Sequence, residues 1–287
     1  MALMDFFNKR SNGNDEMSFV DHLEVLRWHL IRSIIAVVIC AVMVFVFADF
    51  FVDDIVFGPT KPSFVSIEWL CRTGHAVGVG EALCFNNDTP IRFQETTLTG
   101  QFIASFTVAF IGGFILAFPY VFWELWQFVK PALSDTEKRQ TRGIIFWVSV
   151  LFFLGVAFGY FILTPLMVNF YFNYKLSEMI DIRPTFSDYL ENLLYTTVGI
   201  GLLFQLPLLI LLLSRAGIIT SKTLRRYRRH AFVVILIAAA IITPTTDPFS
   251  LAVVAMPLYM LFEISISLAA RGEKKAAANA ESIEEWS

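Results

Sequence analysis

The feature that most constrains this chain is the recurrence of long apolar runs, each ended by a polar or charged stretch. Thr99 to Phe122 is almost wholly apolar, and Gly143 to Leu163 is apolar again. A bilayer core about 30 Å thick is crossed by roughly 20 apolar helical residues, so runs of this length read as membrane spans. Charge agrees: only 16% of the 287 residues are charged and 56% are hydrophobic, whereas about a quarter of a soluble domain is charged. The chain therefore reads as an all-α polytopic membrane protein.

Taken in order, the expected spans are about His29 to Val52, Thr99 to Leu125, Gly143 to Leu166, Leu190 to Arg215, Ala231 to Thr243 and Phe249 to Ala270. Gly155 and Gly159 in the third have the small-xxx-small spacing of close helix packing. The fifth, with 13 residues, reaches only about 20 Å at ~1.5 Å per residue. It and the last span read either as a re-entrant hairpin or as two true but short spans, and the basic residues on both sides favour crossing and return. In that six-span arrangement seventeen of the 22 Lys and Arg residues fall on one side. The excess predicts that both termini are cytoplasmic.

The expected organisation is a polar N-terminal tail over residues 1–17, a membrane domain over 18–271, and a disordered tail over 272–287 rich in Ala, Glu and Lys. The first apolar run begins too late for a usual secretory signal peptide, so the N-terminus is expected to be retained. Within 18–30, Phe19, Leu23, Leu26 and Leu30 recur at spacings of three and four, which predicts an amphipathic helix leading straight into the first span. The outer loop 53–98, with its prolines and glycines, is expected to be a folded cap with little regular structure. Cys71 and Cys84 lie in it, and in an oxidising compartment they would form a structural disulfide.

His22, His29, His75 and His230 show no ligand spacing, so no metal and no other cofactor is expected. No phosphate-binding glycine loop, zinc-protease helix motif or nucleophile elbow appears, and nothing points to an enzyme or to nucleic acid.

The most structured polar stretch joins the second and third spans: WELWQFVKPALSDTEKRQTR, Trp123 to Arg142. Trp123 and Trp126 suit the membrane interface, Pro131 forbids simple continuation of the helix, and Ser134 with Glu137 reads as a capping box. Phe128 and Glu137 then either face a ligand or belong to an ordered helical hairpin. Polar residues inside spans usually face a neighbour, water or a partner. Gln205, just before Pro207, repairs its own helix, binds the next one or binds a partner; Glu263 pairs with a nearby Arg or snorkels; Asp247 caps the last helix. An ion-coupled secondary transporter is the rival reading. It is weakened by the absence of an internal repeat and by the scarcity of intramembrane polar residues.

Five ordered motifs are specific. HLEVLR before the first span, WQFVKPALSDTEKR after the second, GVAFGYFILTP in the third, FQLP in the fourth and TPTTDPFS with MPLYMLFE at the last resemble the TatC family. The match runs over about Ser18 to Arg271. The resemblance implies a six-span core receptor of the twin-arginine protein translocase, N-in and C-in, with the last two spans short, in the bacterial cytoplasmic (inner) membrane. It implies binding of twin-arginine signal peptides and export of folded proteins on the protonmotive force, with TatA and TatB single-span partners and a homo-oligomeric receptor complex.

Residue by residue, Glu137 matches the family's signal-binding acid and Phe128 its aromatic partner. Arg27 ends the HLEVLR motif, where Val25 stands at the family's second acidic position. Glu24 is one residue earlier, turned by ~100° on the helix; either it replaces that acid or the second arginine is recognised differently. Gln205 matches the polar partner-contact position of span four, and Pro59 and Asp247 match outer-loop positions. Two adjacent arginines need carboxylate acceptors of bidentate geometry, and a carboxylate at the membrane edge binds them more strongly than one in bulk water.

Overall fold

The computed structural model describes residues 19–61, 64–67, 72, 75, 92–130, 143–173, 177, 184–215, 219–243 and 248–284. Their architecture is helical, and the only β pairing among them is a single bridge. Helix α1 is Phe19–Val46 and α2 is Gly100–Val129. The third pass is α3, Ile144–Phe158, a π-helical stretch Gly159–Leu163, and α4, Thr164–Asn173. The fourth is α5, Phe186–Leu203, and α6, Leu206–Arg215. After the short α7, Ser221–Arg226, come α8, Arg228–Ile242, and α9, Pro248–Glu284.

Five stretches are long and apolar enough to cross a membrane: Glu24–Val46, Gly100–Val129, Ile144–Phe172, Phe186–Ser214 and Leu251–Glu273. Helix α8, between the fourth and the last of these, supplies the remaining pass, the fifth in chain order. Its 15 residues reach only about 22 Å, so the shortness expected of the last two spans resides in the fifth. The sixth is a 37-residue helix that continues beyond residue 272, where composition points to an unstructured tail. The amphipathic segment and the first span form one unbroken helix, as the apolar spacing predicts.

The irregular points have local causes. Pro207 has no N–H to give Leu203, and the chain breaks between α5 and α6 at that site. In the π-helical stretch, the Thr164 hydroxyl donates to the Gly159 carbonyl at 3.0 Å. Lipid tails are as apolar as leucine, so helices in a bilayer are held by close packing more than by burial. Helices α1 and α2 make the densest contact of the fold. At Gly113 an added Cβ would lie 2.5 Å from the Ala41 backbone nitrogen. The expected glycine seam joins α3 to α5: a Cβ on Gly155 would meet Gly201 Cα at 2.9 Å, and one on Gly159 would meet Thr197 Cα at 3.0 Å.

Phe118 of α2 stacks on Phe152 of α3 with centroids 3.5 Å apart, in a buried cluster with Trp126, Ile144 and Val148. A second cluster, containing Ile200, Phe204, Leu258, Phe262 and Ile266, joins α5, α8 and α9. The third lies at the end carrying the 53–98 loop and contains Val44, Val56, Val108, Tyr189 and Leu193. There the chain folds into a cap. Tyr189 donates to the Val56 carbonyl at 2.6 Å and Tyr160 to that of Ile55 at 2.7 Å. Gln94 bridges to Thr185, and Pro59 is buried in the 3₁₀ turn Gly58–Thr60.

Candidate functional site

Opposite the cap, the first two helices meet around a buried carboxylate. Glu124, on the second-last turn of α2, is 1% exposed. His29 Nδ1 of α1 lies 2.5 Å from its Oε2, and the Tyr120 hydroxyl donates to its Oε1 at 2.8 Å. Arg32 follows three residues after His29 on α1. A carboxylate costs several kcal/mol to bury without partners, roughly, and much less when both oxygens are engaged. The contact therefore ties α1 to α2 at one depth.

That tie positions the expected site residues. Tyr120, Glu124 and Phe128 follow one another at four-residue spacing and share one stripe of α2. Phe128 is half-buried, one turn beyond Glu124 toward the loop. On α1, running antiparallel, Val25 is one turn before His29 on the same face. Glu24 and Arg27 are exposed, three residues apart, on the adjoining turn. Glu24 and Arg27, near the start of α1, and Phe128, near the end of α2, thus lie toward the same end of the antiparallel pair. Glu137 itself, with the capping box around it, lies outside the described residues, as do Cys71, Cys84 and Asp247.

Gln205 is elsewhere, at the break between α5 and α6. Its Nε2 donates to the Val148 carbonyl of α3 at 3.2 Å, while its Oε1 is buried without a hydrogen-bond partner. Of the three readings left open, it binds the neighbouring helix with one half of the amide and leaves the other half unengaged. Glu263 pairs with Arg228 at 2.8 Å and accepts from Tyr259 at 3.2 Å, the first of the two readings left open for it. Pro59 belongs to the cap, well away from the α1–α2 foot.

The sequence reading missed His29 and Glu124. Glu124 stands in the quoted stretch between two tryptophans, and a helical-wheel count from Phe128 would have drawn it inward onto the face of Tyr120. Among the described residues, no group of three or more His, Cys, Asp or Glu side chains is arranged to hold a metal ion. What the arrangement offers is an exposed carboxylate and guanidinium on α1 and a half-buried aromatic ring on α2, toward one end of the helix pair.

A family model described as "Sec-independent protein translocase protein (TatC)" matches residues 21–257. A Sec-independent protein translocase protein TatC of Blattabacterium sp. subsp. Periplaneta americana is 38% identical over 264 residues, 92% of this chain and 99% of the relative. The TatC of Deinococcus radiodurans is 32% identical over 251 residues, 86% of this chain and 84% of the relative. Among solved structures, the twin-arginine translocase receptor TatC crystallised in DDM is similar with a TM-score of 0.67 and 28% identity, covering 86% of this chain and 99% of that one.

Proposed function

Because the chain belongs to the TatC family of Sec-independent protein translocases, a translocase component and not an enzyme, we propose that it is the signal receptor of its system. It binds the twin-arginine signal of folded cargo at the foot of α1 and α2 and supports export driven by the protonmotive force. Glu137 accepts one guanidinium, and Phe128 packs on the side-chain stem or the guanidinium face. Glu24 supplies the acid missing at Val25, and Arg27 completes the polar edge.

The observation that supports the reading is the His29–Glu124–Tyr120 tie, which joins α1 to α2 near the ends that carry Glu24, Arg27 and Phe128. A crystallised relative of the same fold is described as a twin-arginine translocase receptor, which supports the same role. The basic excess on that side favours an inner-membrane orientation with both termini cytoplasmic. Gln205, with one amide oxygen unengaged, is the proposed contact for a TatA- or TatB-type helix. Pro59 and Asp247 act in the outer loops, the Cys71–Cys84 disulfide braces the cap, and the receptor works as a homo-oligomer.

The test is crosslinking of a photoreactive twin-arginine signal peptide in membranes, with a twin-lysine peptide as control. The expected result is crosslinking to residues 128–139 that is lost with twin lysine and with Glu137→Ala in a normally inserted chain. Equal crosslinking of both peptides, or normal binding by the variant, would remove the proposed site.

A further inference from the structure

The densest positive charge on the described surface lies at the foot of the shortest pass. Lys222, Arg225 and Arg226 on α7 and Arg228 and Arg229 on α8 are all exposed. The two helices are joined through Tyr227, whose N–H donates to the Thr223 carbonyl at 3.0 Å and whose carbonyl accepts from Ala231 at 2.9 Å. The helical course therefore runs on with a bend. Lys222, Arg225, Arg226 and Arg229 stand at spacings of three and four along it and form a stripe. Leu224, between them in sequence, faces the other way and is buried in the cluster of α8 and α9.

Two carboxylates of α9 reach this segment, and both are engaged by residues outside the stripe. Glu263 pairs with Arg228 at 2.8 Å. Glu273 accepts from the Ser221 amide at 2.6 Å and from its hydroxyl at 2.5 Å. Among the described residues no carboxylate pairs with the four cations of the stripe.

Continuing from Arg229 at four-residue spacing come Val233, Ile237 and Ile241, exposed by 52%, 54% and 78%. A cationic crown thus sits at the head of a lipid-facing apolar stripe. Because α8 reaches only about 22 Å against a hydrocarbon core of about 30 Å, this crown is drawn into the headgroup layer. Charge and shape together describe an amphiphile with an anionic head.

We propose that the foot of α8 binds an anionic phospholipid, its phosphodiester held by Lys222, Arg225, Arg226 and Arg229 and an acyl chain laid along Val233, Ile237 and Ile241. Guanidinium groups suit this role because they grip phosphate oxygens in bidentate fashion. The lipid would hold the short pass at a fixed depth, independently of any signal peptide.

The test is native mass spectrometry of the full chain released from detergent, titrated with phosphatidylglycerol or phosphatidylcholine of matched chains. The wild type is expected to retain phosphatidylglycerol in preference, and K222Q/R225Q/R226Q/R229Q is expected to lose at least about tenfold in that retention. The milder R225Q/R226Q, which spares the Arg228–Glu263 pair, is expected to lose part of it while eluting as a single species, so the result does not depend on the fourfold variant inserting. Equal retention of the two lipids by the wild type, or unchanged phosphatidylglycerol retention by R225Q/R226Q, would overturn the proposal. Displacement of the lipid by millimolar inorganic phosphate would also overturn it, since the acyl stripe would then contribute nothing.

Discussion

Glu124 and Gln205 are both polar side chains set inside apolar passes, and they are served differently. Glu124 has a partner on each oxygen, His29 from the neighbouring helix and Tyr120 from its own. Gln205 has one, a Val148 carbonyl at 3.2 Å, and keeps a buried oxygen without a hydrogen bond. A fully engaged buried group fixes the helices that engage it, whereas a half-engaged one retains a share of its desolvation cost that a partner can recover. The first region is thus built as a lock and the second as a socket. On the proposed function, that separation would divide signal docking at the first region from partner recruitment at the second.

The largest expected effect breaks the lock. Glu124→Ala strips His29 and Tyr120 of their shared acceptor and is expected to destabilise the chain by about 3 kcal/mol, measured as a lowered temperature of inactivation in detergent. Glu124→Gln keeps a carbonyl acceptor and should lose less. Twin-arginine peptide affinity is expected to fall in both, in the same order, because Glu24 and Phe128 lose their fixed spacing. Unchanged stability in Glu124→Ala would mean that the α1–α2 contact around Gly113 suffices without the tie.

A smaller effect is expected at the socket. Gln205→Leu removes one long hydrogen bond together with the unengaged oxygen, so stability should change by less than about 1 kcal/mol. Signal binding should be intact, and site-specific crosslinking of a TatA-type helix beside α5 should weaken. A loss of stability as large as that of Glu124→Ala would erase the contrast and make Gln205 a second lock.

Much of this was legible in the sequence. The passes, the short fifth one and the glycine seam at Gly155 and Gly159 follow from apolar run length and spacing, which act locally. For Glu263 the sequence left snorkelling or pairing with an Arg open, and the structure pairs it with Arg228. The α1–α2 tie was not legible, because His29 and Glu124 are 95 residues apart and nothing in either local pattern names the other. The expected second span ended at Leu125, one residue past Glu124, whereas α2 runs on to Val129 and so carries Glu124 a full turn inside its end. The half-engagement of Gln205 needed the position of Val148. Pro207 signalled a break nearby, but not which carbonyl the amide would reach.

The smallest expected effect concerns a third polar group, one that is well served but stands at the cap and outside the spans. Glu95 accepts from the Ser187 hydroxyl at 2.8 Å and from the amides of Thr96 and Thr97 at 3.1 and 3.3 Å, tying the end of the 53–98 loop to the start of α5. The Ser187 bond, opposed by partial burial and helped by the Thr97 and Thr96 bonds, holds its carboxyl below the ordinary value of 4.5. A group depressed in this way stabilises the fold above its unfolded value and loses that contribution as pH falls through the folded one. The wild type should therefore be slightly more heat-resistant than Glu95→Gln at pH 6, and the difference should vanish below the depressed value. Because water competes for these bonds, the margin should be the least of the three, although Glu95 has more partners than Glu124. A margin comparable with that of Glu124 would mean that the number of hydrogen bonds, and not their burial in the membrane, decides what a carboxylate contributes to this fold.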